Sequence, residues 1–186
     1  MAGHGFHLHG CFRRLAPQGF RLRPAGLRDL DTVLPWLGSR QQMQWWGAPA
    51  LEFPPDPARV WQAIHGAAGD CYVLADPEGT VLGFGQAQAT AAGTVHLNRI
   101  IVAPGSRGRG VGRALCLLLM ERTAPAHWTL KVFQENLRAA GLFRSLGFQE
   151  SPGESRGNLL AMHCDRVPLP GIFRHRPHPP GWDRSA

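Results

Sequence analysis

Lysine is almost absent from this chain: of 20 Lys and Arg residues, only Lys131 is a lysine. No apolar run approaches the ~18 to 20 residues needed to cross a bilayer as a helix, which excludes a helical membrane protein. The opening MAGHGFHLHGCFRR sets histidines where a secretory signal needs an unbroken apolar segment, so the expected location is the cytoplasm. Cysteine is scarce and scattered. Cys11, Cys71, Cys116 and Cys164 form no C-x-x-C, which excludes a zinc knuckle or disulfide framework and leaves reduced thiols. Tyrosine occurs once, at Tyr72, so a phenolic catalyst has one place to be.

The net charge of +7 raises the question of nucleic acid. Residues 20–165 hold 14 basic and 12 acidic residues, while the flanks hold 6 basic and 1 acidic. The excess lies mostly in the ends, so a basic nucleic-acid-binding domain is a minor alternative. Residues 1–18 show no helical or strand period and read as a flexible arm. Its His4, His7, His9 and Cys11 match no closed zinc spacing, and no metal is expected. Residues 167–186 carry five prolines and read as a tail, with a P-x-x-P spacing at Pro177–Pro180. One domain is expected between them, over 19–166.

Within that domain "FRLRPA" reads as a strand, and Leu27, Leu30, Val33, Leu34 and Leu37 recur at helical spacing. "WWGAPALEFPPDP" reads as a loop. Asp56-Pro57 offers an N-cap and first-turn pair for a helix to about Ala68. Three strands follow to Val102, with turns at Pro77-Glu78-Gly79 and Ala92-Gly93. Next come a helix from Gly110 to about Thr123, the strand "WTLKVF", a helix from Leu137 to Leu146 ended by Gly147, and two closing strands. That order gives an α+β fold around one mixed sheet.

"IIVAPGSRGRGVGRAL" (101–116) carries the chemistry. Glycines alternating with arginines, between a strand and a helix, let consecutive N–H groups converge on an anion at a helix N-terminus. Neither a Walker loop nor a dinucleotide fingerprint fits: Val111-Gly112 follow Gly110, and position 113 is Arg.

Arg107, Gly110 and Gly112 reproduce the R/Q-x-x-G-x-G/A signature of the GNAT superfamily of acyl-CoA-dependent N-acyltransferases. "NLRAAGLFRSLGF" (136–148) resembles its second block, and the likeness spans about residues 20–165. The resemblance implies a central, mostly antiparallel sheet splayed between strands 4 and 5, with helices on both faces. It implies acetyl-CoA as cosubstrate. Backbone amides from Arg107 through Gly108, Arg109, Gly110, Val111 and Gly112 would cradle the pyrophosphate, with added charge from Arg113. Ile101 and Val102, beside a bulge, would pair with the pantetheine arm. A strand amide near Ile100 or at Ile101 would receive the carbonyl oxygen. Asn136 would bond the cofactor's arm, and is equally suited to be a helix N-cap.

Two departures stand out. The family's usual tyrosine acid beside the cofactor is Phe143 here, and a base position used by some members is Lys131. Another base position, eleven residues before the loop arginine, is His96, whose ordinary pKa of ~6.5 suits a general base. Asn98, two along on the same strand face, would hold a bridging water. The alternative for His96 is a partly exposed strand residue with no catalytic task. The acceptor wall is expected at Trp45, Trp46, Glu52 and Phe53, with Glu52 attracting a cationic amine; these aromatics would also serve simply to cap the core. The function implied is acetyl transfer to a primary amine by direct attack in a ternary complex, without an acyl-enzyme. A small amine or amino-acid derivative is favoured over a protein N-terminus or lysine, and the family admits a homodimer. The competing reading, motivated by Phe143, is an acyl-CoA-binding module without turnover.

Overall fold

A seven-stranded sheet positions everything else. The computed structural model describes residues 19–47, 52–65, 69–91 and 93–165; the arm over 1–18 and the tail over 167–186 lie outside the described residues. The chain runs through β1 (Arg21–Pro24), α1 (Asp29–Val33) with a 3-10 turn at Leu34–Trp36, α2 (Arg40–Trp46) and α3 (Pro57–Ile64). It continues through β2 (Asp70–Ala75), β3 (Val81–Ala91), β4 (Thr94–Val102), α4 (Val111–Thr123) and β5 (His127–Phe133). α5 (Leu137–Ser145), β6 (Gln149–Glu150) and β7 (Leu159–Asp165) complete it. The strand order is β1-β2-β3-β4-β5-β7-β6, antiparallel throughout except for the parallel pair β4–β5.

The helix boundaries follow from local chemistry. Asp56 accepts from Arg59 N–H at 2.8 Å, with Pro57 in the first turn of α3, as its sequence predicts. That helix stops at Ile64, short of the expected Ala68. α5 closes in a Schellman motif: Phe148 N–H donates to Phe143 O at 3.1 Å and Gly147 N–H to Arg144 O at 3.0 Å, Gly147 taking φ 95°. The accompanying apolar contact is Phe143 against Phe148, ring centroids 5.9 Å apart.

α2 is a correction to the sequence reading, which placed Trp45 and Trp46 in a loop. Ser39 Oγ accepts from Gln42 N–H at 3.2 Å while Gln42 Oε1 accepts from Gly38 N–H at 3.0 Å, and Gly47 ends the helix in the left-handed region. A Ser-x-x-Gln capping box was the available signal.

Strand alternation divides the core between the two faces. Leu115, Leu119, Phe143 and Phe148 from α4, α5 and the turn beyond pack on Leu74, Val95, Leu97 and Leu130. Leu30, Val33, Met43, Trp46, Val60 and Ile64 from α1–α3 pack on Cys71, Val73 and Phe84.

β4 and β5 pair only over Thr94–Leu97 with His127–Leu130, yet β4 runs on to Val102 and β5 to Phe133. The sheet therefore splays between strands 4 and 5. The cause lies on the other side of β4. Phe84 faces Ile101 and Gln86 faces Asn98, so Arg99 and Ile100 together oppose the single Gly85. This is a β-bulge, which bends its strand, and Arg99 adopts φ 54° within it. It immediately precedes Ile101 and Val102, the pair expected beside it from sequence.

Gly85 makes the bulge fit. A Cβ there would lie 2.7 Å from Leu119 Cδ1 and 2.8 Å from Ile100 Cδ1. Gly85→Val should therefore destabilise the fold by about 1 to 3 kcal/mol in urea denaturation. Gly141→Ala, on α5 with open space around its Cβ, should be neutral or stabilising by up to about 1 kcal/mol.

Candidate active site

The segment from Ala103 to Val111 turns through a 3-10 turn at Pro104–Ser106 and then through Gly108 (φ 76°) and Gly110 (φ 81°). Both φ values favour glycine. No heavy atom lies within 4 Å of where a Cβ on Gly105, Gly108 or Gly110 would stand. Gly110 is the N-cap of α4 and gives no side-chain cap. Among the described residues, no backbone acceptor takes the N–H groups of Gly108 through Arg113. Free amides, clear space and the positive end of a helix form a cradle for an anion. Arg107 N–H itself reaches Pro104 O at 3.4 Å, so the cradle begins at Gly108.

The arginines are arranged differently from the sequence expectation. Arg113 donates to Ser145 O at 3.0 Å and Ser145 Oγ at 3.3 Å, tying α4 to the end of α5. Arg107 donates from Nε to Val102 O at 3.0 Å and from Nη2 to Trp36 O at 3.4 Å. Arg109 is exposed on the loop, and Gly112 serves packing: a Cβ there would meet Leu142 at 3.3 Å and Val102 at 3.4 Å.

The cradle stands at the end of the gap between β4 and β5. Ala103 N–H donates to Leu82 O at 2.9 Å, so by ladder alternation Ile101 N–H points at β3, opposite Phe84. The N–H groups of Val102 and Ile100 then face the gap. Of the two strand amides expected to serve the carbonyl oxygen, Ile101 is engaged in the sheet and Ile100 faces the gap.

The floor toward α1–α3 is polar. Gln88, His96, Thr129, His163 and Gln149 stand opposite one another across β3, β4, β5, β7 and β6, and directly paired residues share a face. His96 Nδ1 lies 2.8 Å from Thr129 Oγ1. Burial, and then the charge of Lys131, hold the His96 imidazole below its ordinary pKa, so it is neutral near pH 7. Asn98 Nδ2 donates to Gln88 Oε1 at 3.5 Å. His163 Nδ1 lies 2.7 Å from Ser151 Oγ.

Arg99 is the residue that sequence reasoning missed. The bulge places its side chain on this same face, where Nη1 donates to Gln86 Oε1 and Nη2 to Gly47 O at 3.1 Å. Its Nε is buried and has no partner. Gln86, itself fully buried, is oriented by donating to Ile64 O at 2.6 Å. Trp46 Nε1 donates to Arg99 O at 2.9 Å and so fixes the bulge from α2.

Of the expected acceptor wall, only Trp45 is half-buried at the end of α2 without a core role. Trp46 is corrected to a core residue: it is 4% exposed, and its ring lies 5.7 Å from that of Phe84. Glu52 has a side chain 87% exposed and lies 3.5 Å from Arg59, so it faces solvent. Phe53 packs against the core under α1–α3 and lines a pocket with Leu30, Leu34, Leu37 and Pro54.

Asn136 Oδ1 accepts from Ala139 N–H at 3.3 Å, so the capping role is realised. Phe143 is 6% exposed in the core. Burial pushes the thiols of Cys71 and Cys116 up to about 11 and about 12, where neither is a nucleophile near pH 7.

A mixed sheet parted between β4 and β5, with an anion cradle at the end of the gap, defines a protein that grips an extended, phosphate-bearing cosubstrate. The model of the acetyltransferase (GNAT) family matches residues 40–148, more than half of the chain. The chain belongs to the GNAT family of acetyltransferases. A spermidine N-acetyltransferase from Vibrio cholerae, solved with CoA and spermine, superposes with TM-score 0.65 at 21% identity, covering 80% of this chain and 96% of that one. A GCN5-related N-acetyltransferase from Kribbella flavida gives 0.61 at 25% identity, over 81% and 99%. A putative phosphinothricin N-acetyltransferase gives 0.60 at 21%, over 80% and 99%.

Gly110→Glu would put a side chain and a negative charge into the cradle and disfavour the left-handed backbone. It should weaken coenzyme A binding about 100-fold or more in calorimetric titration. Unchanged affinity would remove the loop from the site.

Proposed function

We propose that the chain transfers the acetyl group of acetyl-CoA to the primary amine of a small molecule, by direct attack in a ternary complex. The observation that carries this is the gap between β4 and β5, which ends at the free amides of Gly108–Arg113. The CoA-bound state of the Vibrio cholerae neighbour supports the same cosubstrate. Bound acetyl-CoA supplies a thioester whose carbonyl carbon is open to a neutral amine. The residues present fit it: the loop amides bind the pyrophosphate, and the gap-facing backbone of Ile100 and Val102 pairs with the extended arm.

In this reading Ile100 N–H donates to the carbonyl oxygen as negative charge develops there. His96 acts as general base at Nε2, with Nδ1–H donating to Thr129 Oγ1, and Asn98 beside it holds a bridging water. Phe143 has no proton to give the departing sulfur. None is required of this chain, because a thiol of pKa near ~8.5 leaves readily as thiolate. The raised pKa values of Cys71 and Cys116 support direct transfer over an acyl-enzyme. A protein N-terminus or lysine is the second acceptor class.

Calorimetry with acetyl-CoA, against an ATP control, followed by an amine screen for thiol release tests this reading. Saturable acetyl-CoA binding with turnover of an amine is the expected result. Binding without turnover across a broad panel would favour a non-catalytic acyl-CoA module, and no binding by folded protein would overturn both.

A base must be unprotonated to act. Since His96 titrates below 6.5, the acid limb of the kcat profile should lie below pH 6.5, with activity lost as pH falls through it. His96→Gln should lower kcat at neutral pH about 100-fold or more and abolish that limb. A profile unaltered by the substitution would retire His96 as base.

A further inference from the structure

Among the described residues, the Arg99 guanidinium has no counter-charge. Of the five N–H groups of a guanidinium, Nη1 gives one to the neutral Gln86 amide, Nη2 gives one to the Gly47 carbonyl, and Nε gives its own to nothing. No described carboxylate lies within ion-pairing distance. The adjoining segments 48–51 and 66–68, Ala-Pro-Ala-Leu and Gly-Ala-Ala, contain no acidic residue. Cys71 is an anionic candidate near it, but burial raises its thiol to about 11 and keeps it neutral. A half-buried cation in this state is strongly disfavoured unless an anion joins it.

The position is informative. Arg99 lies in the bulge where β4 leaves β5, three residues from His96, and its side chain reaches Gln86, the partner of Asn98 in register. It therefore shares the face that His96 and Asn98 present. Lys131 adds a second cation on this face, two residues along β5 from Thr129. The described carboxylate on the same face is Asp165, at the far end of β7, and His127 holds it at 2.7 Å. Among the described residues this floor carries two unpaired cations and no free carboxylate, a balance that repels a polyamine and attracts an anion.

We propose that Arg99 is the specificity-determining residue for a carboxylate on the acceptor. The substrate class is an amine that also bears a carboxylate, an amino acid or close derivative, held by its carboxylate at the guanidinium with its amine toward His96. The planar fork of Arg matches a carboxylate in a way that an ammonium group does not. Gln86 holds the fork in place, and Lys131 supplies longer-range attraction. This inference rests on the acetyltransferase reading above and narrows its acceptor.

The test uses the full chain with saturating acetyl-CoA and follows thiol release. The probes are L-amino acids, each beside its own α-amide and its decarboxylated amine, with spermidine as a polycation. At least one carboxylate-bearing amine should exceed its amide and spermidine about tenfold or more in kcat/KM. Arg99→Met should erase that preference chiefly through KM for the carboxylate substrate, with the Kd of acetyl-CoA unchanged. Arg99→Lys should restore part of it.

Equal or better turnover of the amide or of spermidine by the wild type would overturn the proposal while leaving acetyl transfer intact. So would an Arg99→Met variant that loses all acceptors to the same degree. Absence of turnover with every amine would overturn the acetyltransferase reading itself. Should Arg99→Met fail to fold, the wild-type comparison of acid against amide decides alone.

Discussion

β4 carries one residue more than β3 can match, and the site is built on that surplus. Because Arg99 and Ile100 share Gly85 as their opposite number, side chains beyond the bulge change faces relative to a regular strand. Ile100 turns toward α4, Ile101 toward α1–α3, and Arg99 joins Asn98 on the polar floor. The strand also bends away from β5, so the ladder ends at Leu97 and Leu130. Each neighbour accommodates this: Gly85 leaves room for Ile100 and Leu119, Trp46 bonds the Arg99 carbonyl, and Gln86 receives the Arg99 side chain. A bulge held from three directions is a fixed feature of the fold, and a gap of defined width follows from it.

The electrostatics of the site are local and backbone-led. The loop looks strongly basic in sequence, yet Arg107 and Arg113 bond internal carbonyls and pin the loop between the 3-10 turn after α1 and the end of α5. Attraction for an anion there comes mainly from free amides and the end of α4, with Arg109 as the exposed cation. On the floor, charge comes from Arg99 and Lys131. The chain's larger basic excess belongs to its flanks, outside the described residues.

The fold was legible where signals are local. Asp56-Pro57 opened α3, Gly147 closed α5, and the apolar strands from Cys71 to Val102 formed as their alternation implied. The turn from Gly105 into α4 was legible because glycines at left-handed positions leave a compositional trace. α2 was obscured because its capping box ran into two tryptophans and a Gly-Ala-Pro segment that read as loop. The register could not be read. Nothing in the strings "GFGQ" and "NRIIV" says that Gln86 meets Arg99, since that contact depends on one extra residue in β4. For the same reason the polar row from Gln88 to Gln149, and the turn of Ile101 N–H toward β3, came only with the structure. Trp46 and Phe143 show a further limit: an aromatic residue in sequence does not declare whether it faces a ligand or the core.

The parted strands divide recognition into two kinds of text. Along the gap, the groups on offer are N–H and C=O, which every residue type possesses, so a donor grip of the kind proposed would be written in the main chain and would survive changes of side chain at Ile100 and Val102. On the floor, the proposed recognition of the acceptor rests on side chains alone: His96, Asn98, Arg99, Thr129 and Lys131. A single substitution there can redraw the acceptor without disturbing the donor. The architecture therefore keeps one half of a bisubstrate reaction constant while leaving the other open to evolutionary change.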